Sequence, residues 1–336
     1  MFKFGNTPPL DWCECRIPKK SGGVRLLEIP NKDLRKEQRR ILQYLYQLNE
    51  MGLLPVSNVA HGFLTYRGIH TAVTKHSLES KVFICADMKD FFPSCPLVPL
   101  RGKLRNAGVS NAAIDYMKKC CTWAGPTYTK PHLPQGSPTS PFLTNVVMFD
   151  CDCMIASFAR KNGFLYTRYA DDIQLSAIPG TENAKRWEEL TQSKEHPFLD
   201  IFYGIEAILK DHLGLALKHA KDHVIWRWSR CKPQMLGIVL RDDNRGYNAP
   251  KKRRRRVRAA VHNLAHKIFM QNGVAFDEDK QQWASVKGSV NNLDWIRSFS
   301  PCFDVAGKDP LIQEKFFNYL CEVLDGETIR ELVEDC

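Results

Sequence analysis

Hydrophobic and polar positions alternate over two neighbouring stretches, Phe164 to Tyr169 and Ile173 to Ala177, both supplied with aromatic or β-branched residues. A period of two over such lengths predicts two strands joined as a hairpin. An unbroken apolar run, Val82-Phe83-Ile84-Cys85-Ala86, predicts a buried strand that ends at Asp87. Elsewhere the period lengthens to that of a helix. Residues 33 to 50 carry Leu34, Ile41, Leu42, Leu45 and Leu48 behind an Asp33 start signal. Asn111 to Trp123 and Thr139 to about Arg160 read as further helices, the second opened by Ser140-Pro141, an early position that proline tolerates. Helical texture resumes over Lys252 to Met270, Trp283 to Arg297, Leu311 to Leu324 and Glu327 to Val333.

These strands deliver acids at their ends. Tyr169-Ala170-Asp171-Asp172 sets two adjacent carboxylates at the hairpin tip, where they repel unless a cation neutralises them. Alone, an Asp-Asp turn reads as a solvated turn, and Asp87 alone reads equally well as a helix cap. Taken together, two strand-borne acid sites point to metal chemistry. With the tip beside the end of the Asp87 strand, the acids hold two magnesium ions about 3.5–4 Å apart, the arrangement used for in-line phosphoryl transfer.

Composition adds a partner class. The 336 residues suffice for two or three subdomains, and a net charge of +11 with a pI near 9.1 suits a polyanionic ligand. The charge peaks at Lys251, Lys252, Arg253, Arg254, Arg255, Arg256 and Arg258, at the start of an amphipathic stretch through Val257, Val261, Leu264 and Ile268. That run is either a solvated face or a nucleic-acid contact. The twelve cysteines include no Cys-x-x-Cys, only Cys13 with Cys15, Cys120 with Cys121 and Cys151 with Cys153, so no structural zinc site is expected. No signal peptide is evident, so reduced thiols in a cytoplasm are expected. The longest apolar runs look too short to span a bilayer, so no membrane role is expected.

In order along the chain, the motifs resemble those of reverse transcriptases. Asp87 with an aromatic five residues later resembles the first palm motif, Leu133-Pro134-Gln135-Gly136-Ser137-Pro138-Thr139-Ser140-Pro141 the second, and Tyr169 to Asp172 the third. Gly214 to Lys221 is similar to the fourth, and Leu236-Gly237-Ile238-Val239-Leu240 to the primer-grip hairpin. Upstream, Ile17 to Arg25 with Ile29-Pro30, then His61-Gly62-Phe63 with Arg67, resemble the fingers motifs of bacterial group II intron and retron enzymes. The resemblance covers about residues 14 to 245.

It implies an α+β right-hand polymerase, with fingers and palm over residues 1–240 and a helical thumb over 241–336. Asp87, Asp171, Asp172 and the Met88 carbonyl are implied as ligands of two Mg2+ ions, for which Mn2+ can substitute. Lys221 is implied as the general acid or electrostatic stabiliser at the leaving group, Gln135 and Gly136 as contacts of the incoming deoxynucleoside triphosphate, and Lys19, Lys20 and Arg25 as triphosphate cations. Phe92 is implied to pack under the ribose and exclude a 2′-hydroxyl, while Phe91 belongs to the core. The basic run Lys251 to Arg258 is implied to follow a template-primer or structured RNA. The expected activity is RNA-directed DNA synthesis in the bacterial cytoplasm, in antiphage defence, with a partner noncoding RNA as template. Two alternatives stay open: a retron enzyme making RNA-linked single-stranded DNA, and a catalytically idle RNA-binding module. Where retron enzymes carry Val-Thr-Gly before the primer grip, this chain has Met235-Leu236-Gly237. An RNA-dependent RNA polymerase is opposed by Phe92 and by Ala170.

Overall fold

The structure, a computed structural model, describes residues 8–19, 22–190, 198–219, 223–226, 233–240 and 247–248. The chain divides into two compact units, Met1–Ser229 and Arg230–Cys336. Described residues of the first unit mix helices with antiparallel sheet, the α+β class expected of a polymerase.

The first unit opens with the antiparallel pair β1 (Trp12–Pro18) and β2 (Val24–Pro30), in register from Trp12 opposite Pro30 to Pro18 opposite Val24. Gly22 and Gly23 turn the chain between them at φ of +85° and +78°, a left-handed backbone that costs glycine little. β2 leads into α1 (Lys32–Glu50). Its N-cap is Asn31, whose Oδ1 accepts from the Leu34 N–H at 2.8 Å; Asp33 lies inside the first turn, where its charge suits the helix dipole. Leu34, Ile41, Leu45 and Leu48 pack with α4 (Val98–Asn106), α5 (Asn111–Cys121) and the beginning of α6 (Ser140–Lys161) in one core.

The second core lies under a four-stranded antiparallel sheet of order β4-β5-β3-β6, with β3 at Val82–Asp87, β4 at Phe164–Tyr169, β5 at Asp172–Ala177 and β6 at His223–Trp226. The period of two sorts its residues. Ala86, Ile173 and Arg168 form one cross-strand row and Ile84, Leu175 and Tyr166 another, both on the face that packs against α6, α7 (Glu182–Leu190) and α8 (Leu199–Leu213). The intervening rows, Asp87-Asp172-Tyr169 and Cys85-Gln174-Thr167, belong to the other face. Short helices α2 (Ile69–Val73) and α3 (Phe91–Ser94) complete this unit. The primer-grip candidate lies in the second unit as β7 (Gln234–Met235) and β8 (Ile238–Leu240), with β9 (Tyr247–Asn248) paired to β8. Leu236 and Gly237 turn it at φ of +49° and +80°. The expected helical thumb lies outside the described residues except for β9.

One sequence expectation needs correction. At 22 residues, α6 is long and apolar enough to cross a membrane, but 61% of its apolar window is buried inside the fold. It is also the core helix that carries Asp152, which is fully buried and paired. The described cysteines are free thiols, and burial pushes those of Cys85, Cys95 and Cys121 up to about 12, away from reactive thiolate.

On the polar face of the sheet, His76 spans two strands. Nε2 lies 2.8 Å from Thr167 Oγ1 and Nδ1 lies 2.8 Å from Ser176 Oγ. Burial, with a smaller contribution from His61, lowers its pKa to about 3, so the ring is neutral in the folded protein. The unfolded chain takes up a proton near pH 6.5 and the native ring does not, so stability is full above that pH and is lost as pH falls toward 3. Thermal or urea unfolding of His76→Gln between pH 7 and 4 should show a shallower loss than the parent, by up to about 1.4 kcal/mol per pH unit. Parallel pH profiles would mean that His76 does not carry this dependence.

Candidate active site

The carboxylates are assembled by backbone register. Asp87 stands directly opposite Asp172 in the β3–β5 pair, and the two-residue connection Ala170-Asp171 closes the β4–β5 hairpin beside them. The Met88 N–H donates to the Asp171 carbonyl at 3.0 Å, which fixes the tip against the end of β3. On the other side, the Lys218 N–H donates to the Asp87 carbonyl at 2.7 Å and the Lys89 N–H to the Ala216 carbonyl at 2.9 Å. The end of β3 is therefore held on both edges, and Asp87 is only 6% exposed.

The tip itself is strained. Ala170 has φ +55°, the sign a type II′ turn needs at its first central position, where glycine is the usual residue. What holds it is Arg168, whose side chain is fully buried. Its Nη1 donates to the Ala170 carbonyl at 2.9 Å, its Nε and Nη2 grip the Asp152 carboxylate at 2.8 and 2.7 Å, and Nη2 also reaches Asn145 Oδ1 at 3.0 Å. Tyr166 donates to Asp152 as well, at 2.9 Å. The preceding loop closes the cage: the His61 N–H donates to the Arg168 carbonyl, and the Arg168 N–H to the Val59 carbonyl, both at 2.8 Å. Asn145 donates to the Gly62 carbonyl at 2.8 Å. Gly62 lies so close to the turn that an added Cβ would sit 2.7 Å from the Ala170 nitrogen, so only glycine fits.

Asp87, Met88, Phe92, Gln135, Asp171, Lys19 and Arg25 line one cleft of about 670 Å³. Asp172 stands opposite Asp87 on the same face of the sheet but outside the residues that line this cleft, and its charge bears on Cys85 and Tyr169. Phe91 is buried, with the Arg168 guanidinium 5.9 Å from its ring, whereas Phe92 is partly exposed on the cleft wall, the rings tilted at 5.5 Å. Gly136 has a reason of its own: a Cβ there would stand 2.7 Å from the Glu28 carbonyl. Lys20, Lys221 and the run Lys251, Lys252, Arg253, Arg254, Arg255, Arg256 and Arg258 lie outside the described residues. Sequence reasoning passed over Lys218, Lys89, Glu28 and Tyr128, which also line the cleft. Lys218 sits in the same motif as Lys221, and spacing alone does not choose between them.

The donor set suits a hard cation. Two carboxylates, Asp87 and Asp171, and the Met88 main chain offer oxygen at the cleft floor, the chemistry of Mg2+ or Mn2+ rather than of a softer metal. Among the described residues no cluster of three or more His, Cys, Asp or Glu side chains forms a ready-made metal cage. A site of this kind draws further ligands from a phosphorylated substrate.

The family profile described as reverse transcriptase (RNA-dependent DNA polymerase) matches residues 17–225. The chain is 38% identical over 172 residues to the retron Mx65 reverse transcriptase of Myxococcus xanthus, covering 48% of this chain and 39% of that protein. It is 29% identical over 266 residues to the retron Mx162 reverse transcriptase of the same organism, covering 74% and 51%. The matches thus span about half the length or less of these curated relatives. Among solved structures, apo telomerase from Candida tropicalis aligns with 96% of this chain and 63% of its own at 12% identity and a TM-score of 0.45.

The contact between Gly62 and the turn gives a direct test of how tightly the tip is held. Gly62→Ala should push Ala170 and Asp171 off the cleft floor at a cost of about 1–3 kcal/mol in packing, and primer extension should fall at least about tenfold. Extension rates and melting midpoints measured on both proteins decide the matter. A folded variant with the parent's rate would show that the tip tolerates displacement.

Proposed function

Because the chain belongs to the reverse transcriptase (RNA-dependent DNA polymerase) family, we propose that it extends a DNA primer on an RNA template by phosphoryl transfer in the cleft of the first unit. The observation that carries the reading is that Asp87, at the end of β3, and Asp171, in the β4–β5 turn, line the same cleft as Lys19, Arg25 and Phe92. Acids at the floor and cations from the β1–β2 hairpin are the two halves that a triphosphate and an attacking hydroxyl require.

Asp87, Asp171 and the Met88 carbonyl hold divalent cations, two in this proposal. When bound, these supply Lewis-acid activation of the primer 3′-hydroxyl and charge compensation on the triphosphate. Lys19 and Arg25 take the outer phosphates, Arg25 by its forked donors and Lys19 as a point charge. Lys218, partly exposed on the cleft wall, adds a cation beside Asp87, and Lys221 remains the proposed proton donor to the leaving group. Gln135 faces the incoming nucleotide, and the Phe92 ring fills the space a ribose 2′-hydroxyl would need.

For the partner, we propose a structured noncoding RNA that serves as template, bound in part by the basic run Lys251 to Arg258, and a role in antiphage defence in the bacterial cytoplasm. The motif order supports the polymerase on which this partner rests, and the net charge of +11 suits a polyanion. The retron reverse transcriptase relatives favour a second reading, in which the product is single-stranded DNA linked to that RNA. Sequencing the nucleic acid that copurifies with the full chain separates the two, since only the second gives DNA joined to RNA.

The catalytic reading rests on Asp171 more than on Asp172. In magnesium-dependent primer extension on an RNA template, Asp171→Asn should lower the rate by at least about a hundredfold, the several kcal/mol that metal-borne charge stabilisation supplies. Asp172→Asn should lose less, and both should bind template-primer as the parent does. An Asp171→Asn protein that extends at the parent's rate would remove the cleft from the chemistry.

A further inference from the structure

A buried pair behind the cleft, of which Glu28 reaches the wall, has no part in the chemistry described above. Glu28 on β2 and His132, just before the Gln135–Gly136 loop, are 1% and 4% exposed. The His132 Nε2 lies 2.9 and 2.8 Å from the two Glu28 carboxylate oxygens, and its Nδ1 lies 3.0 Å from the Lys130 carbonyl. With Glu28 ionised both partners can only accept, which puts a proton on each ring nitrogen and makes the contact an imidazolium–carboxylate pair. Burial pulls the His132 pKa down; the bonds to Glu28 and the Lys130 carbonyl outweigh it and hold the pKa above its ordinary value.

The same carboxylate holds the loop. The Gln135 N–H donates to Glu28 Oε2 at 3.3 Å, the Glu28 N–H donates to the Gln135 carbonyl at 2.9 Å, and Gly136 leaves its Cβ space to the Glu28 carbonyl. Three residues back along β2 stands Arg25, about 10 Å away at strand spacing. The height of β2 against the Gln135–Gly136 loop therefore sets the distance between the hairpin cations and the palm. A buried ion pair is a poor source of stability compared with a hydrophobic contact of the same size, and a better source of a unique register.

We propose that Glu28 and His132 are positioning residues that fix the fingers strand to the Gln135–Gly136 loop and so set the affinity for the incoming nucleoside triphosphate. The proposal rests on the polymerase reading and deepens it. Neither side chain touches the reacting atoms. Their effect falls on the binding of the nucleotide, while the floor acids continue to set the rate of the bound complex. Deprotonation of His132 removes the ring's charge and one of its two N–H donors, so one of its bonds, to Glu28 or to the Lys130 carbonyl, is lost and the register loosens as pH rises through the His132 titration. Other charged or titratable groups near the pair are Tyr128, whose ring stands 5.0 Å from His132, and Lys19, Arg25, Lys89, Asp90, Asp87, Asp171 and Lys218 around the cleft.

The test is single-turnover primer extension by the full chain with a varied deoxynucleoside triphosphate, comparing parent, Glu28→Gln and His132→Gln between pH 6 and 9. Glu28→Gln is nearly isosteric and keeps an acceptor for the Gln135 N–H, so it reports even where His132→Gln folds poorly. The apparent nucleotide Kd should rise about tenfold in either variant, the scale of one lost hydrogen bond between charged groups. The saturating rate should stay within about threefold and template-primer affinity should be unchanged. The weakening of nucleotide binding at alkaline pH should appear in the parent and be absent from both variants. An unchanged nucleotide Kd in folded Glu28→Gln, or a fall in saturating rate with Kd preserved, overturns the proposal. A parent chain that extends no primer overturns the polymerase reading first.

Discussion

The bond between Arg168 and Asp152 is the constraint on which the rest of the site depends. Both side chains are fully inaccessible, and removing one partner of such a pair typically costs about 3–5 kcal/mol because the other charge stays buried. Burial works against the Arg168 charge, yet Asp152 and Tyr166 hold its pKa above the ordinary value. One arginine then ties together α6 through Asp152 and Asn145, the β4–β5 turn through the Ala170 carbonyl, and, by its main chain, the loop at Val59 and His61. A left-handed alanine persists because its surroundings determine it from several sides.

From that anchor the division of the sheet follows. Arg168 shares the helix-packed face with Ala86 and Ile173, so the next row, Asp87, Asp172 and Tyr169, belongs to the opposite face. Phe91 and Phe92 both reach the cleft, but the first is buried in the core under the guanidinium and the second is the more exposed. Core and acid-bearing surface are thus the two faces of one sheet.

Much of this was legible in the sequence, because period and turn chemistry are local. The alternating runs became β4 and β5, the apolar run became β3 ending at Asp87, and the helix opened by Ser140-Pro141 became α6. The cap of α1 fell to Asn31 rather than Asp33, since the geometry needs an acceptor three residues before Leu34. What period could not show was pairing across distance. Asp152 in an apolar helix and Arg168 in an apolar strand each look like isolated charges, and only the packing of α6 on β4 joins them. Glu28 and His132 are 104 residues apart and carry no local sign of each other. The sequence expectation that every apolar run is too short to span a bilayer failed at α6, whose length and apolarity suffice and which the fold covers with protein.

Arg168 either sets the Ala170–Asp171 turn or merely fills the core, and one substitution separates the two. Arg168→Lys keeps a buried cation for Asp152 but cannot also reach Asn145 and the Ala170 carbonyl with a planar fork. The deciding measurement is the single-turnover extension rate of this variant at saturating template-primer and nucleotide, with its melting midpoint taken on the same preparation. A folded variant slowed by at least about tenfold, the worth of one or two hydrogen bonds to a charged group, is the predicted result. A folded variant that extends primer at the parent's rate would contradict it.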